Sequence, residues 1–369
     1  MTALLQVDRL SVQLPVDGTM RTVLREVSFE VEAGKTLGLV GESGSGKSMT
    51  ARTIDRLLPP GAKVGGRVTF DGTSVLDLRG SALRKYRSND VSMIFQDPRA
   101  HTNPVRTIGD FLTEALRYNR GTAKKAARAE AVRLLAAVGI GDGERRLEQY
   151  PHELSGGLLQ RVMIAANLAA KPRLILADEP TTALDVTTQA EVMGILANLQ
   201  REHGMAMLFI THDLELAAAV CDETVVMYAG TVVERRQSDI LHVDPLHPYT
   251  AALMRARPDI DHAVERLPAI QGHPTSAYEA PTGCSFAPRC EYVQPKCREA
   301  EPALEVLDGG HTRCRRSTEL RGRLLEPVTP VTAPTSPQTD ATTGTTTGTT
   351  TGPTSDPTSG PTTERTVVL

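Results

Sequence analysis

Eight consecutive residues, Gly41-Glu42-Ser43-Gly44-Ser45-Gly46-Lys47-Ser48, carry the means to hold a phosphate chain. Glycines let successive backbone N–H groups curl around an anion. Lys47 can reach the outer phosphates, and Ser48 can offer its hydroxyl to Mg²⁺. The spacing G-x-x-x-x-G-K-[ST] is that of a phosphate loop, and the other reading of it is a glycine-rich turn beside a solvated lysine.

Further downstream, chemistry-bearing residues repeatedly close an apolar run. Val91 to Phe95 ends on Gln96, with Asp97-Pro98 behind it. Leu174-Ile-Leu-Ala ends on Asp178-Glu179-Pro180, and Met205 to Thr211 ends on His212-Asp213. Buried parallel strands deliver polar groups to their C-terminal edge in this way. Asp178 would anchor Mg²⁺ through water, and Glu179 would polarise the attacking water. Two acids could be nothing more than a polar strand cap, and a lone histidine at a strand end is more often structural. The phosphate loop about 130 residues upstream of Asp178 favours the catalytic reading of the acids, and His212 shares it as the third polar strand end of the same type. Ser155-Gly156-Gly157, just before the helical run from Leu158, adds a second helix N-terminus able to accept an anion, although an ordinary cap has the same look.

The elements that must position these groups follow from periodicity. Thr36 to Val40 is a short apolar strand before the loop, and Met49 to Ile54 a helix after it. Residues 1 to about 35 alternate in bursts, Leu10–Leu14 and Val27–Val31, broken at Pro15, Asp17-Gly18 and Ala33-Gly34, which predicts antiparallel strands beside the nucleotide site. Gly66 to Gly72 reads as another strand and turn. Helical period dominates from Ile108 to about Ala170, as an inserted subdomain, and Thr224 to Glu234 as a closing hairpin. Cys221, in an apolar helical stretch, reads as a core thiol.

A chain of 369 residues with 40% apolar residues can bury a large core, and a net charge of −3 gives no overall basic surplus for nucleic acid. No run approaches the roughly 18 apolar residues that span a bilayer, so a cytosolic chain, held at a membrane by partners, is expected. Four of five cysteines, Cys284, Cys290, Cys297 and Cys314, crowd one late segment with x5, x6 and x16 spacing. A reducing compartment favours a metal or cluster there over disulfides.

In this order, the phosphate loop, Gln96, Ser155-Gly156-Gly157, Asp178-Glu179, Ala183-Leu184-Asp185 and His212 resemble the nucleotide-binding subunit of an ABC transporter, over about residues 4 to 255. The resemblance implies an α/β phosphate-loop NTPase cassette over 1–255, with a mixed sheet core, an antiparallel β subdomain and a helical subdomain at about 97–170. It implies that ATP sits on Gly41 to Ser48 and that Mg²⁺ is held through Ser48, Gln96 and Asp178. Glu179 would be the general base, Gln96 the link from Mg²⁺ and the lytic water to the membrane partner, and His212 a γ-phosphate contact. Two cassettes close head to tail in that family. Ser155, Gly156 and Gly157 would therefore cover the ATP of a second cassette, with Asp185 in the loop between them. Two departures stand out: Leu158 follows the glycines where a polar residue or methionine is usual, and Leu14 stands near the place of an adenine-stacking aromatic. Apolar contact or Arg21 could substitute for that aromatic.

His247-Pro248-Tyr249-Thr250 and Pro281 to Cys290 resemble the C-terminal extension of ATPases that serve oligopeptide, dipeptide and nickel importers, as do Phe95 to Pro98, Asn103-Pro104 and Thr107 to Gly109. The extension is expected at 256–318. Some members carry an iron–sulfur cluster there, so Cys284, Cys290, Cys297 and Cys314 are expected to hold a 4Fe-4S cluster, with zinc or unligated thiols as alternatives. A disordered Thr/Gly/Pro-rich tail is expected over 319–369, above all from residue 325. The expected function is ATP-driven import, of peptides or else nickel or another small solute, at the cytoplasmic face of the membrane. The expected partners are a second, possibly paralogous ATPase subunit, two transmembrane permease subunits and an extracytoplasmic solute-binding protein. A soluble ABC ATPase of DNA repair or translation, or a non-hydrolysing regulator, are the readings from other classes. No nucleic acid is expected.

Overall fold

Period-two alternation builds the first layer. Strands β1 (Ala3–Val16) and β2 (Thr19–Glu32) form a long antiparallel hairpin and, after β3 (Thr36–Val40), β4 (Lys63–Phe70) and β5 (Thr73–Ser74) extend it into a sheet ordered β2-β1-β4-β5. These placements come from a computed structural model, which describes residues 3–182, 184–256 and 269–326, all within the unit Met1–Glu326. The sequence suggests short strands interrupted at Pro15, but β1 runs through it. Pro15 pairs with Met20 next to the hairpin turn, where a missing N–H costs no central ladder bond. Register shifts between Val7 and Leu10 and between Leu10 and Val12 keep the apolar face inward.

The second sheet contains β3 with β6 (Val91–Ile94), β7 (Leu174–Asp178), β8 (Ala206–Thr211), β9 (Glu223–Tyr228), β10 (Thr231–Gln237), β11 (Glu305–Leu307) and β12 (Gly310–Thr312). Its order is β11-β12-β10-β9-β3-β8-β7-β6, parallel from β9 to β6 and antiparallel beyond. Alternate residues serve two cores. Leu174, Leu176, Leu208 and Ile210 pack with the first sheet, whereas Ile175, Ala177, Met207 and Phe209 pack with helices. A sheet covered on both faces needs strands apolar throughout, which is why β3, β7 and β8 are buried at every position. The helical side draws on Ile108–Glu114, Lys124–Ala137, Gly143–Leu147, Gly156–Ala169 and Val186–His203.

The C-terminal segment is continuous with this architecture. β12 pairs with β10, Glu234 opposite Thr312, so residues 305–312 lengthen the central sheet. Phe286 is fully buried against Tyr228 and Tyr249. Glu234, also fully buried, accepts from the backbone N–H of Leu246 at 2.7 Å and of His247 at 2.9 Å, fixing the start of helix Pro248–Arg255. Part of the segment expected as a disordered tail, 319–369, is packed instead: Leu320 and Leu324 are buried with Ala251. The rest of the expected tail, 327–369, lies outside the described residues. No described helix is long and apolar enough to cross a membrane.

Candidate active site

The register of the central sheet gathers the distant polar groups. Val40 of β3 lies opposite Thr211 of β8, and Asp178 of β7 opposite Ile210. The residues that follow these ends, Gly41, Glu179 and His212, together with Gln96 after β6, emerge on one edge and line one cleft of about 950 Å³. The loop from Gly41 to Gly46 returns over that edge and passes at Gly46, in a left-handed conformation (φ 102°), into helix Lys47–Ile54. A side chain at Gly46 would strain this turn and its Cβ would lie 2.5 Å from Leu24 Cδ2.

Within the cleft the charges form a closed set. Lys47 is 5% exposed, and its Nζ donates to the carbonyls of Gly41 at 2.8 Å and Glu42 at 3.0 Å and stands 3.9 Å from Glu179 Oε1. Ser48 Oγ donates to Asp178 Oδ1 at 2.8 Å. Glu179 Oε2 accepts from Gln96 Nε2 at 3.2 Å and from Thr182 Oγ1 at 2.8 Å, and His212 Nδ1 lies 3.4 Å away. Burial pushes the Lys47 pKa down from its ordinary value, against the pull of Glu179, Asp178 and Glu42. Burial likewise pushes the Asp178 carboxyl up, against the Ser48 hydrogen bond. Both departures show a site where charge is costly until a compensating ion arrives. Glu179 has a positive φ of 44°, uncommon for a residue with a side chain and a local cost borne at a functional turn.

Ser155, Gly156, Gly157 and Asp185 are not among the residues that line this cleft. They meet elsewhere. Ser155 Oγ accepts from Leu158 N at 3.4 Å as the cap of helix Gly156–Ala169, and Asp185 caps helix Val186–His203 through Thr188 N at 3.0 Å. Thr188 joins the two caps, because a Cβ on Gly157 would lie 2.6 Å from its Cγ2. Leu14 pairs with Arg21 in the hairpin and is not a cleft residue. Ala183 lies outside the described residues.

Several contributors have no motif in the sequence. Thr182 has a possible signal, since it stands three positions after Glu179. Arg289 has none. It reaches back 247 positions to grip Glu42 with two bonds, Nη1 to Oε2 at 2.6 Å and Nη2 to Oε1 at 3.0 Å. Tyr249 reaches back 207 positions to the same residue: its hydroxyl accepts from Glu42 N at 2.9 Å. The phosphate loop is thus held from outside by the C-terminal segment. Beside it, Cys284, Cys290, Cys297 and Cys314 all line one small apolar cavity with His247, Phe286 and Leu320. Burial pushes the Cys290 and Cys314 thiols up to about 12, and that of Cys284 up as well. Among the described residues, no three His, Cys, Asp or Glu side chains stand close enough together to hold a metal ion. The 4Fe-4S expectation thus has a shared cavity behind it and no assembled ligand set. Cys221 is a buried free thiol.

Residues 24–182 match the ABC transporter family, and residues 233–297 match the C-terminal region of oligopeptide/dipeptide transporters. The oligopeptide transport ATP-binding protein OppD of Haemophilus influenzae is 43% identical over 320 residues, covering 86% of this chain and 99% of that protein. The chain belongs to the oligopeptide/dipeptide family of ABC transporter ATP-binding subunits. The dipeptide transport ATP-binding protein DppD of the same organism is 42% identical over 325 residues, 88% of this chain and 98% of that one. Among solved structures, this ABC subunit is similar to the ATP-binding cassette MJ0796, solved as a dimer bound to ADP and Pi, with a TM-score of 0.58 and 28% identity over 63% of this chain and 98% of that one. It is also similar to cbiO1 of Clostridium perfringens, part of the ABC transporter complex cbiONQ, with a TM-score of 0.56 and 26% identity over 65% of this chain and 91% of that one. As a member of this family the chain is an ATPase of the transport class.

The Ser48–Asp178 bond carries a prediction. Ser48→Ala should raise the dissociation constant for Mg²⁺ in the presence of ATP by about tenfold, while ATP affinity without Mg²⁺ stays within about twofold; isothermal titration calorimetry reads both.

Proposed function

We propose that this chain powers peptide import by hydrolysing ATP on Gly41 to Ser48. Lys47 would hold the outer phosphates after leaving the Gly41 and Glu42 carbonyls. Ser48, Asp178 and Gln96 would hold Mg²⁺, which neutralises charge developing on the phosphoryl oxygens when bound. Glu179 would accept a proton from the attacking water, steadied by Thr182 and Gln96, with His212 beside the γ-phosphate. Support comes from Glu179 itself: three polar side chains from three separate segments converge on one of its carboxylate oxygens.

Ser155, Gly156 and Gly157 do not line their own cleft, which suits a role in covering the ATP of a second cassette, with Asp185 nearby through Thr188. A paralogous or identical cassette, two transmembrane permease subunits and an extracytoplasmic solute-binding protein would complete the assembly, with this chain peripheral at the cytoplasmic face. The choice of peptides rests on one observation: near-complete coverage of proteins named for oligopeptide and dipeptide transport, their C-terminal region included.

A 4Fe-4S cluster on Cys284, Cys290, Cys297 and Cys314 is part of the proposal. What supports it is that the four thiols line one cavity, as four ligands of one cluster would; among the described residues no three of them stand close enough together to hold a metal ion. When bound, the cluster would supply cross-linking of the segment and a redox centre.

Two outcomes are expected. In vesicles with the permease subunits, a peptide-loaded binding protein should stimulate phosphate release, and stimulation by a nickel-loaded one instead would contradict the peptide assignment. Anaerobic purification should give a brown protein with about four iron atoms per chain; a colourless protein with zinc and no iron ends the cluster proposal.

A further inference from the structure

The phosphate cleft has a polar and an apolar part. Lys47, Gln96, Glu179 and His212 make the first; Val23, Leu253, Pro274, Ala277 and Tyr278 contribute the second. Tyr278 belongs to the C-terminal segment, 230 positions beyond Ser48 in sequence. It is 49% exposed although Arg21 lies over its ring, the guanidinium carbon 4.8 Å from the centroid. An aromatic ring kept half open to solvent beside a phosphate-binding turn, with a cation already on it, is poorly explained by packing, since neighbouring Ala277 is buried.

The loop that carries Tyr278 is tied to the phosphate loop by a short relay. Tyr228 Oη donates to Thr275 Oγ1 at 3.1 Å and accepts from Thr275 N at 3.3 Å and from Arg289 Nη1 at 3.3 Å. Arg289 in turn grips Glu42. On the other side Gly230 N donates to Ser45 O at 3.0 Å, and Ala277 fills the space beside Gly230, where a Cβ would lie 2.6 Å from its own. Tyr278 is therefore fixed relative to Gly41 to Ser48 even though its segment is distant in the chain.

We infer that Tyr278, steadied by Arg21, is the surface on which the nucleobase of ATP stacks. A purine needs a flat, polarisable, partly apolar partner, and Tyr278 is the aromatic residue that lines this cleft. Neither Leu14 nor another residue of β1 lines it. The C-terminal segment thereby closes the nucleotide site within one cassette. The assignment requires nucleotide binding alone and is independent of the solute carried.

Base stacking on an aromatic side chain is worth about 1–3 kcal/mol by alanine substitution, and a factor of ten corresponds to about 1.4 kcal/mol. The test titrates the full chain, without Mg²⁺ so that nothing is hydrolysed, with ATP and with inorganic tripolyphosphate, which has no base. Tyr278→Ala should weaken ATP binding about tenfold and leave tripolyphosphate within about twofold, which also shows that the variant is folded. Tyr278→Phe should bind ATP within about twofold of the natural chain. Unchanged ATP affinity in Tyr278→Ala, an equal loss for both ligands, or a Phe variant as weak as the Ala variant each overturns the assignment.

Discussion

A buried cation facing two carboxylates is the constraint on which the cleft depends. Lys47 sits almost out of solvent between the carbonyls of Gly41 and Glu42 and the carboxylate of Glu179, with Asp178 tied to Ser48 on the next residue of the same helix. In such a dry place each charge is expensive alone and strongly felt by its neighbours. Under the proposed function, a triphosphate and its Mg²⁺ would offer that ammonium and those carboxylates further partners. The directions of the Lys47 and Asp178 pKa shifts express the same imbalance.

The sheet exists, in this respect, to bring three strand ends to one line. β3, β7 and β8 are buried on both faces, so their registers are fixed by packing and leave only the residue after each end free for chemistry. The uncommon backbone at Glu179 completes the turn out of β7, and the bond from Glu179 N to Ile210 O at 3.0 Å holds it. The C-terminal segment fastens the loop from the other side through Arg289 and Tyr249.

Much of this was legible in the sequence because it is local. The phosphate loop, the polar strand ends and the helix start at Ser155 are each written within a few residues, in a period or a spacing. What escaped reading is carried by contacts across long stretches of chain. β11 and β12 are three-residue strands whose only sign is the sheet edge they complete. Arg289 and Glu42 have no shared pattern, and Tyr278 looks like any loop tyrosine until the fold brings it to the cleft that Gly46 also lines. Pro15 misled for the opposite reason: a local rule against proline in strands gave way because its position beside the hairpin turn required no ladder bond.

The central claim, that Glu179 is the group that activates water in this cleft, is tested most directly by single-turnover phosphate release with Glu179→Gln. The substitution keeps the shape and the Gln96, Thr182 and His212 surroundings while removing the base. The account predicts ATP affinity within about threefold of the natural chain and a release rate lower by about a hundredfold or more. A release rate equal to that of the natural chain, at unchanged affinity, would contradict it.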